Sequence, residues 1–304
     1  LGVLALVLDD LDQIAAPLLG QRRHRHADQL ALARWIEAQI GIALIRCTIG
    51  AMSDDYEYRG LMAATWDLLR GDYSAWPDRA FYRSIIERAG DPALDVGCGT
   101  GRLLLDYLAA GIDIDGVDNS PEMLAICQRK ARDLGLDVAG RLFEQPMERL
   151  DLPRRYRTIL VPSSSFQLIT DAAEARDVMR RFRDHLAPDG VLVMSLMISI
   201  PAERPPQREW TAWFKAGQQQ RAEDGALVRR QMRVMYDYEQ QLEHLETRYQ
   251  VLKDGALVQE ETHTRSPSVR WYAQDQACQL FRDTGFADVR LTSGFTDAPA
   301  APGD

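Results

Sequence analysis

The 304-residue sequence lacks three features, and each absence excludes a class of protein. No run approaches the roughly 20 consecutive apolar residues that cross a bilayer, so we expect no membrane span. The four cysteines are far apart and none forms a C-x-x-C pair, which disfavours a zinc site or a disulfide framework and favours a reducing cytoplasm. Positively charged residues are also outnumbered by negatively charged ones, which gives a net charge of −9. An acidic surface repels the phosphate backbone of a nucleic acid. Neither a membrane nor a nucleic acid is therefore an expected partner.

The first 51 residues are predicted to be an N-terminal extension. The apolar residues 1–8 follow no charged leader, which is not the pattern of a signal peptide. The basic cluster at 22–26 has no carboxylate or cysteine at ligand spacing, so we interpret it as solvated charge. Two interpretations of this segment stay open: a helical or partner-binding arm, and a tag or misassigned start before a natural beginning at Met52.

Between residues 92 and 200, short apolar strands alternate with helical patterns. Strands are predicted at 93–96, 112–117, 141–143, 158–161 and 191–196. Ser120 followed by Pro121 is a strong helix start, because a capping hydroxyl precedes a proline in the first turn. The alternation predicts an α/β fold, a Rossmann-like doubly wound and mostly parallel sheet. Residues 52–91 are predicted to form an N-terminal helical cap, and 92–200 with 272–296 the cofactor-binding core.

Residues 201–271 are predicted to form an antiparallel β insertion after the fifth strand, acting as a substrate lid. The pair Asp254-Gly255 is the best short hairpin signal in the chain. As a two-residue turn it pairs Glu246 with His263 and places Glu261 and His263 on one outward face. We therefore interpret His263 mainly as part of a solvated charge ladder, with the Thr262 face packed.

The main functional signal is the loop Gly97-x-Gly99-x-Gly101, which lies between a strand and a helix. Glycines let the backbone come close to a bound molecule, and the helix start supplies free N–H groups. Asp118 ends the next strand, where a carboxylate accepts hydrogen bonds from ribose hydroxyls. A dinucleotide fingerprint needs its third glycine at position 102, which is Arg102. An NAD-dependent oxidoreductase is thus the weaker alternative.

Residues 94–101, Leu-Asp-Val-Gly-Cys-Gly-Thr-Gly, closely resemble the first signature of class I S-adenosylmethionine-dependent methyltransferases. Residues 116–124 resemble the second segment of that family, 186–192 the turn before its fifth strand, and 64–69 the helix that closes over its cofactor. The resemblance covers about 56–292. It implies S-adenosylmethionine as cofactor and transfer of a methyl group to a nitrogen or oxygen atom of a small-molecule acceptor, as in amino-sugar N,N-dimethyltransferases and glycine N-methyltransferase.

The resemblance also implies a set of cofactor contacts. These are Trp66, Asp95, Gly97, Cys98, Gly99, Asp118, Asn119, Met123, Gln145, Met147, Pro162 and Ser163. Asp95 would face the methionyl amine, Asp118 the ribose, and Asn119 and Met123 the adenine. The family's usual acid at the adenine amine falls on Pro146 here, so Gln145 or a backbone group is expected to replace it. No metal is expected.

The end of the fourth strand, Val161-Pro162-Ser163-Ser164-Ser165-Phe166, is expected to border the acceptor. It has neither the Asn/Asp-Pro-Pro-Tyr/Phe nor the Pro-Cys segment of DNA methyltransferases, which favours a small-molecule acceptor. The base that deprotonates the acceptor stays open among Tyr73, Ser163 and His263. A non-catalytic S-adenosylmethionine-binding regulatory protein is a further alternative. A homodimer is possible, but no pattern in the sequence argues for it.

Overall fold

The computed structural model describes residues 3–8, 58–197 and 204–301, all within one compact unit of the chain. The basic cluster at 22–26 and the possible start at Met52 lie outside the described residues. The helices are α1 (Gly60–Ala64), α2 (Trp66–Arg70), α3 (Pro77–Ala89), α4 (Leu104–Ala109), α5 (Pro121–Asp133), α6 (Ala172–His185) and α7 (Gln274–Asp283). In the described ranges, no helix is long and apolar enough to cross a bilayer.

Eleven strands form two sheets in the described part of the chain. They are β1 (Val3–Leu8), β2 (Ala93–Val96), β3 (Ile114–Asp118), β4 (Leu142–Glu144), β5 (Tyr156–Val161), β6 (Leu186–Leu196), β7 (Phe214–Gln220), β8 (Leu227–Asp237), β9 (Leu242–Lys253), β10 (Ala256–Arg270) and β11 (Asp288–Ser293). The larger sheet has the order β11-β1-β6-β5-β2-β3-β4, and all its pairs are parallel.

The larger sheet is covered on both faces, which confirms the predicted Rossmann-like α/β fold. One apolar cluster includes Phe182 of α6 and Phe281 of α7, and another includes Tyr82 of α3, Tyr107 of α4 and Cys127 of α5. Every residue of β2 and β3 is buried, as expected for central strands of a parallel sheet. The carboxyl ends of β2, β3 and β5 meet at one edge, where α/β sheets bind ligands.

Side chains cap two helix starts, and the one at Ser120 confirms the prediction from the sequence. Ser120 accepts a hydrogen bond from the N–H of Met123 at 3.1 Å, and Pro121 follows in the first turn of α5. Asp171 accepts from the N–H groups of Ala173 and Glu174, each at 2.8 Å, at the start of α6. These side chains satisfy N–H groups that a helix leaves without internal partners.

The sheet contains one strand that the sequence analysis does not predict. The backbone of β1 lies between β6 and β11 and runs parallel to both, with Leu6 paired to Met194 and to Leu291. These six residues belong to the segment that we predicted to be an extension. A strand inside a parallel sheet is a short apolar run without alternation, and the partners of β1 come much later in the chain, so no local pattern reveals it.

The smaller sheet, β10-β9-β8-β7, is antiparallel, as predicted for the insertion. Asp254 and Gly255 have φ of 50° and 80°, which a two-residue hairpin turn of the primed type requires. The predicted register holds only as far as Leu257. Val251 then pairs with Gln259, so that Val258 is an extra, bulged residue on β10.

The bulge makes the predicted charge ladder wrong. His263 pairs with Thr247 rather than with Glu246, and Glu261 pairs with Tyr249. Because side chains alternate along a strand, one extra residue moves every later side chain to the other face. Glu261 and His263 therefore lie on the partly buried inner face of β10, and Thr262, expected to be packed, is exposed.

Candidate functional site

The glycine loop after β2 bends sharply beside β3. The N–H groups of Gly97 and Cys98 both donate to the carbonyl of Val117, at 2.8 and 3.1 Å. Gly97 and Gly101 have φ of 72° and 84°. A Cβ on Gly97 would lie 2.8 Å from the hydroxyl of Ser165, and one on Gly101 would lie 2.6 Å from a buried sulfur. Side-chain bulk at either position would therefore displace the loop.

Asp118 is buried where β3 ends. One carboxylate oxygen accepts from the N–H of Gly99 at 2.8 Å, and the other accepts from the N–H of Ser120 at 2.9 Å. Burial raises the pKa of Asp118, and these backbone hydrogen bonds act in the opposite direction. Each carboxylate oxygen keeps a further lone pair. The loop and the helix start thus fix one acceptor group toward the cavity.

Asp95 lies in β2 beneath the loop and is almost fully buried. Burial raises its pKa to about 7, and the nearby Arg102 opposes this shift. Arg102 itself makes two hydrogen bonds to Asp78, at 2.9 and 2.5 Å. One oxygen of Asp95 has no hydrogen-bond partner in the described residues. A buried carboxylate oxygen of this kind is suited to a positively charged ligand group.

The cap helix α2 is tied to both the glycine loop and α5. Asp67 accepts from the hydroxyl of Thr100 at 2.7 Å and from the ammonium of Lys130 at 3.1 Å. Lys130 also donates to the hydroxyl of Tyr73 at 3.1 Å. Tyr73, a predicted base candidate, therefore lies at the cavity with its oxygen beside a cation.

Arg70 is a site residue that the sequence analysis missed. Its guanidinium carbon lies 4.1 Å from the ring centroid of Trp66. Burial lowers the pKa of Arg70 to about 10. The charges of Arg102 and Arg230 act in the same direction, while Tyr58 and Asp67 oppose the shift. Within the described ranges, Arg70 forms no ion pair. An arginine among cations suits an anionic ligand, and the only sequence signal was its spacing of four from Trp66 on one helix.

These side chains border one cavity of about 260 Å³ at the carboxyl edge of the parallel sheet. Its lining includes the predicted residues Trp66, Tyr73, Asp95, Gly97, Cys98, Gly99, Asp118, Asn119, Met123, Gln145, Met147, Pro162 and Ser163. The lining also includes residues that sequence reasoning did not select, among them Arg70, Glu148 and Arg265. The fold therefore brings the predicted cofactor residues together, while His263 does not line the cavity.

Gln145 lies at the cavity, but its side-chain amide is already hydrogen-bonded within its own loop. Its amide nitrogen donates to the carbonyl of Asp151 at 3.1 Å, and its amide oxygen accepts from the N–H of Asp151 at 3.0 Å. Its backbone N–H donates to the carbonyl of Asp118 at 3.1 Å. The neighbouring Pro146 has no N–H to offer. Gln145 thus holds the loop beside Asp118, and its contact with adenine stays a prediction.

His263 belongs to the contact between the cap and the smaller sheet. Its Nε2 lies 3.1 Å from Glu261, and its ring meets Tyr249 edge to face. Burial lowers the pKa of His263, and Glu261 opposes the shift. Glu261 also accepts from the N–H of Leu61 at 2.6 Å, at the start of α1. On the other side, Gly60 donates to Glu122 of α5 at 2.9 Å, so α1 connects β10 of the smaller sheet with a helix that packs on the larger one.

A parallel sheet with a glycine loop after one strand and a buried acid after the next defines a Rossmann-like, nucleoside-binding α/β domain. Residues 93–190 match the family described as a methyltransferase domain. This part of the chain is a class I methyltransferase domain.

Sequence relatives support this assignment over part of their length. The chain is 30% identical over 128 residues to a putative methyltransferase of Geobacillus sp. (strain WCH70), covering 41% of this chain and 50% of that protein. It is 30% identical over 154 residues to the dTDP-3-amino-3,6-dideoxy-alpha-D-glucopyranose N,N-dimethyltransferase of Streptomyces fradiae, covering 48% and 56%. For the glycine/sarcosine N-methyltransferase of Halorhodospira halochloris the identity is 28% over 144 residues, covering 45% and 52%. The chain thus spans about half the length of these curated relatives.

Solved structures share the fold over a larger part of the chain. The sugar N-methyltransferase KedS8 from a Streptoalloteichus species aligns with a TM-score of 0.58 at 21% identity, covering 78% of this chain and 89% of that one. The CcbJ methyltransferase from Streptomyces caelestis aligns with a TM-score of 0.58 at 21% identity, covering 77% and 88%. At 21% sequence identity, this structural similarity establishes the fold of the chain.

Proposed function

We propose that this protein is an S-adenosylmethionine-dependent methyltransferase that transfers a methyl group to a nitrogen or oxygen atom of a small-molecule acceptor. The observation that carries the proposal is the placement of Asp118, which the glycine loop and the start of α5 hold toward the cavity. The matched methyltransferase domain supports it, and so do two relatives whose names state N-methylation of an amino sugar or of glycine and sarcosine.

Charges at the two ends of the cavity suit the cofactor. Asp118 would accept hydrogen bonds from the ribose hydroxyls. At the other end, Asp95 and Arg70 offer opposite charges to the α-ammonium and α-carboxylate of the methionyl part. Asn119 and Met123 line the cavity and would flank the adenine. When bound, S-adenosylmethionine supplies an electrophilic methyl group on a sulfonium.

The protein contributes position and exclusion of water. Orientation of two reactants contributes up to about 7–11 kcal/mol to lowering a reaction barrier. Ser163 and Ser164 follow β5 with φ of 54° and 59°, and the N–H of Ser164 donates to the hydroxyl of Ser195 at 3.1 Å. This turn brings Ser163 to the cavity wall, where it would border the acceptor.

The net charge of −9 and the serine-rich segment after β5 support a small molecule rather than a nucleic acid as acceptor. The position of Arg102 works against the NAD alternative. A dinucleotide site needs a third glycine there for close helix–strand packing, and Arg102 is instead engaged by Asp78. A cytoplasmic location stays a prediction.

Two measurements test the proposal. Calorimetry is expected to show binding of S-adenosylhomocysteine and none of NADH. Transfer of radiolabel from S-adenosylmethionine to a panel of amines, amino sugars and phenols is expected to identify an acceptor class. Binding of NADH in place of S-adenosylhomocysteine would overturn the proposal. Binding of S-adenosylhomocysteine without any turnover would favour the non-catalytic alternative.

A further inference from the structure

The order of the strands divides the lining of the cavity into two sides. Most of the residues predicted to bind the cofactor lie at or after the ends of β2, β3 and β4, which are neighbours in the sheet. β5 and β6 lie on the other side of β2, and the segments that follow them also line the cavity, together with β9 and β10 of the smaller sheet. On this second side the apolar lining residues are Leu168, Ile169, Met197, Leu245 and Val269. We call these five side chains the apolar wall.

Gln167 joins three of the segments that carry the apolar wall. It lies in the turn after β5 and is fully buried. Its amide nitrogen donates to the carbonyls of Met197 and Arg270, at 2.9 and 3.1 Å, and its amide oxygen accepts from the N–H of Met197 at 2.5 Å. Each joined segment contributes a wall residue at or next to the bonded position, namely Leu168, Met197 or Val269.

The hydrogen bonds of Gln167 fix the apolar wall separately from the cofactor side. A buried amide is stable only where its polar atoms are paired, so the turn, the end of β6 and the end of β10 keep one arrangement. On the cofactor side, Asp118 is held by the N–H groups of Gly99 and Ser120. Among the described residues, no hydrogen bond of Gln167 reaches those two loops. A change at Gln167 is therefore expected to move the wall and to leave the cofactor loops in place.

The chemistry of the apolar wall indicates what it contacts. Four of its side chains are partly exposed where they line the cavity, and these are Leu168, Met197, Leu245 and Val269. The neighbouring Ser268 already donates its hydroxyl to a backbone carbonyl of β9. A ligand with an apolar face would cover this surface favourably, whereas a fully hydroxylated molecule would leave hydroxyls without partners against it.

Given the proposed function, we infer that the apolar wall is the acceptor subsite, that it takes an acceptor with an apolar face, and that Gln167 is the positioning residue that holds it. Methyl transfer needs the acceptor atom in line with the bond that breaks at sulfur. A shift of the wall by about 1 Å would spoil this alignment and slow the reaction strongly. Gln167 itself touches neither reacting molecule and acts through the wall.

Hydrogen exchange followed by NMR tests this role of Gln167 without any acceptor. Gln167→Leu has a side chain of similar volume but loses the hydrogen bonds. The N–H of Met197 is expected to exchange faster by on the order of tenfold, because it loses its acceptor. The N–H groups of Gly99 and Ser120 are expected to keep their rates. Unchanged exchange at Met197, or faster exchange at all three positions, would contradict the inference.

Aniline tests the acceptor subsite, because it has an apolar ring, is uncharged at pH 8 and needs no base to free its electron pair. The native protein is expected to transfer radiolabel from S-adenosylmethionine to aniline. In Gln167→Leu, kcat/KM for aniline is expected to fall by on the order of tenfold. The affinity for S-adenosylhomocysteine is expected to stay within twofold. If the native protein neither binds nor methylates aniline, the wall is not the acceptor subsite. Failure of the native protein to bind S-adenosylhomocysteine would instead refute the proposed function.

Gln167→Glu provides a rescue that depends on pH. A protonated carboxyl both donates and accepts a hydrogen bond, whereas the ionised form only accepts. Relative to the native protein, kcat/KM of this variant for aniline is therefore expected to be higher at pH 6 than at pH 8. An equal ratio at the two pH values would count against the role of Gln167, and this measurement decides alone if Gln167→Leu does not fold.

Thr158→Val is the matched control for loss of a buried hydrogen bond. Thr158 is fully buried in β5 and donates to the carbonyl of Gly90 at 2.8 Å, near the amino end of β2. The variant is expected to unfold at a lower urea concentration while its kcat/KM for aniline stays within twofold of native. If Thr158→Val lowers kcat/KM as much as Gln167→Leu does, Gln167 supports the fold in general and the inference is wrong.

Discussion

The parallel and the antiparallel sheet hold their functional side chains in different ways. At the edge of the parallel sheet, Gly97, Asp118 and Ser120 stand where strands end, and hydrogen bonds between the two neighbouring strand ends and within the turn after β3 set their positions. In the antiparallel sheet, the face of Glu261 depends on the whole ladder from the turn at 254–255 onward. A sequence pattern therefore predicts the side chains at the edge of the parallel sheet. In the antiparallel sheet, one bulge is enough to reverse the face on which a side chain lies.

Each sheet also contains a buried acid whose pKa burial raises to about 7. Asp95 lies at the cavity in the parallel sheet, and Glu243 lies in β9 opposite Tyr236 of β8. Glu243 does not line the cavity, whereas Asp95 does. The comparison separates an acid that faces a ligand site from one that the fold buries elsewhere.

The largest effect is expected at the edge of the parallel sheet. Asp118→Ala is expected to weaken S-adenosylhomocysteine by 100-fold or more, because two charge-assisted hydrogen bonds of about 1.5–3 kcal/mol each are lost. Calorimetry measures this affinity. Asp118→Asn keeps the shape of the side chain and one acceptor oxygen, so it is expected to lose less affinity than Asp118→Ala. An unchanged affinity in Asp118→Ala would show that the cofactor lies elsewhere.

Glu243→Gln tests the buried acid of the smaller sheet through the free energy of unfolding. The pKa of Glu243 is higher in the folded than in the unfolded protein, so the native protein loses stability as the pH rises from about 4.5 to about 7. At pH 8 the variant is expected to be more stable by up to about 3 kcal/mol, and at pH 4 the difference is expected to vanish. Urea unfolding at both values measures this.

The exposed Glu209 provides the control for that experiment, since Glu209→Gln is expected to leave stability unchanged at either pH. Affinity for S-adenosylhomocysteine is expected to be intact in Glu243→Gln. A loss of affinity there would remove the distinction between the two buried acids.

Arg70→Ala is expected to weaken S-adenosylhomocysteine by about tenfold, because a charge-assisted hydrogen bond to its carboxylate is lost. The affinity for 5′-methylthioadenosine, which has no carboxylate, is expected to stay within twofold. Calorimetry with both ligands measures the difference. If both ligands weaken alike, Arg70 acts by supporting Trp66 rather than by binding the carboxylate.

The smallest effect tests the register of β10. Glu261→Ala is expected to reduce the free energy of unfolding by about 1 kcal/mol, because the N–H of Leu61 loses its acceptor. Thr262→Ala, one residue along on the exposed face, is expected to change it by less than half as much. Equal effects in chemical denaturation would favour the straight ladder without a bulge at Val258.

Sequence reasoning succeeded where interactions are short in range. The capping side chain of Ser120, the glycine loop and the hairpin turn at 254–255 all stand where their patterns predict. Their geometry follows from residues within a few positions, so one segment contains the information. The resemblance to the methyltransferase family supplied the predicted cofactor residues, most of which stand at or just after the ends of neighbouring strands.

The features that were not predicted from the sequence all depend on contacts with residues far away in the chain. Position 258 is a valine, which is no local mark of a bulge, and the bulge is visible only in the pairing of β10 with β9. The strand β1 finds its neighbours at the far end of the chain. Arg70 was missed because its significance lies in the absence of an ion pair within the described ranges, and the sequence alone does not show which charges are paired.

The bulge at Val258 also bears on how this molecule can change over evolutionary time. Deleting that single codon would straighten the ladder without changing the pairs beyond it, because Gln259 already lies opposite Val251 and Glu261 opposite Tyr249. In a strand without a bulge, the loss of one residue exchanges the two faces of everything that follows. The extra residue therefore lets β10 lose one codon while Glu261, His263 and Arg265 keep facing inward.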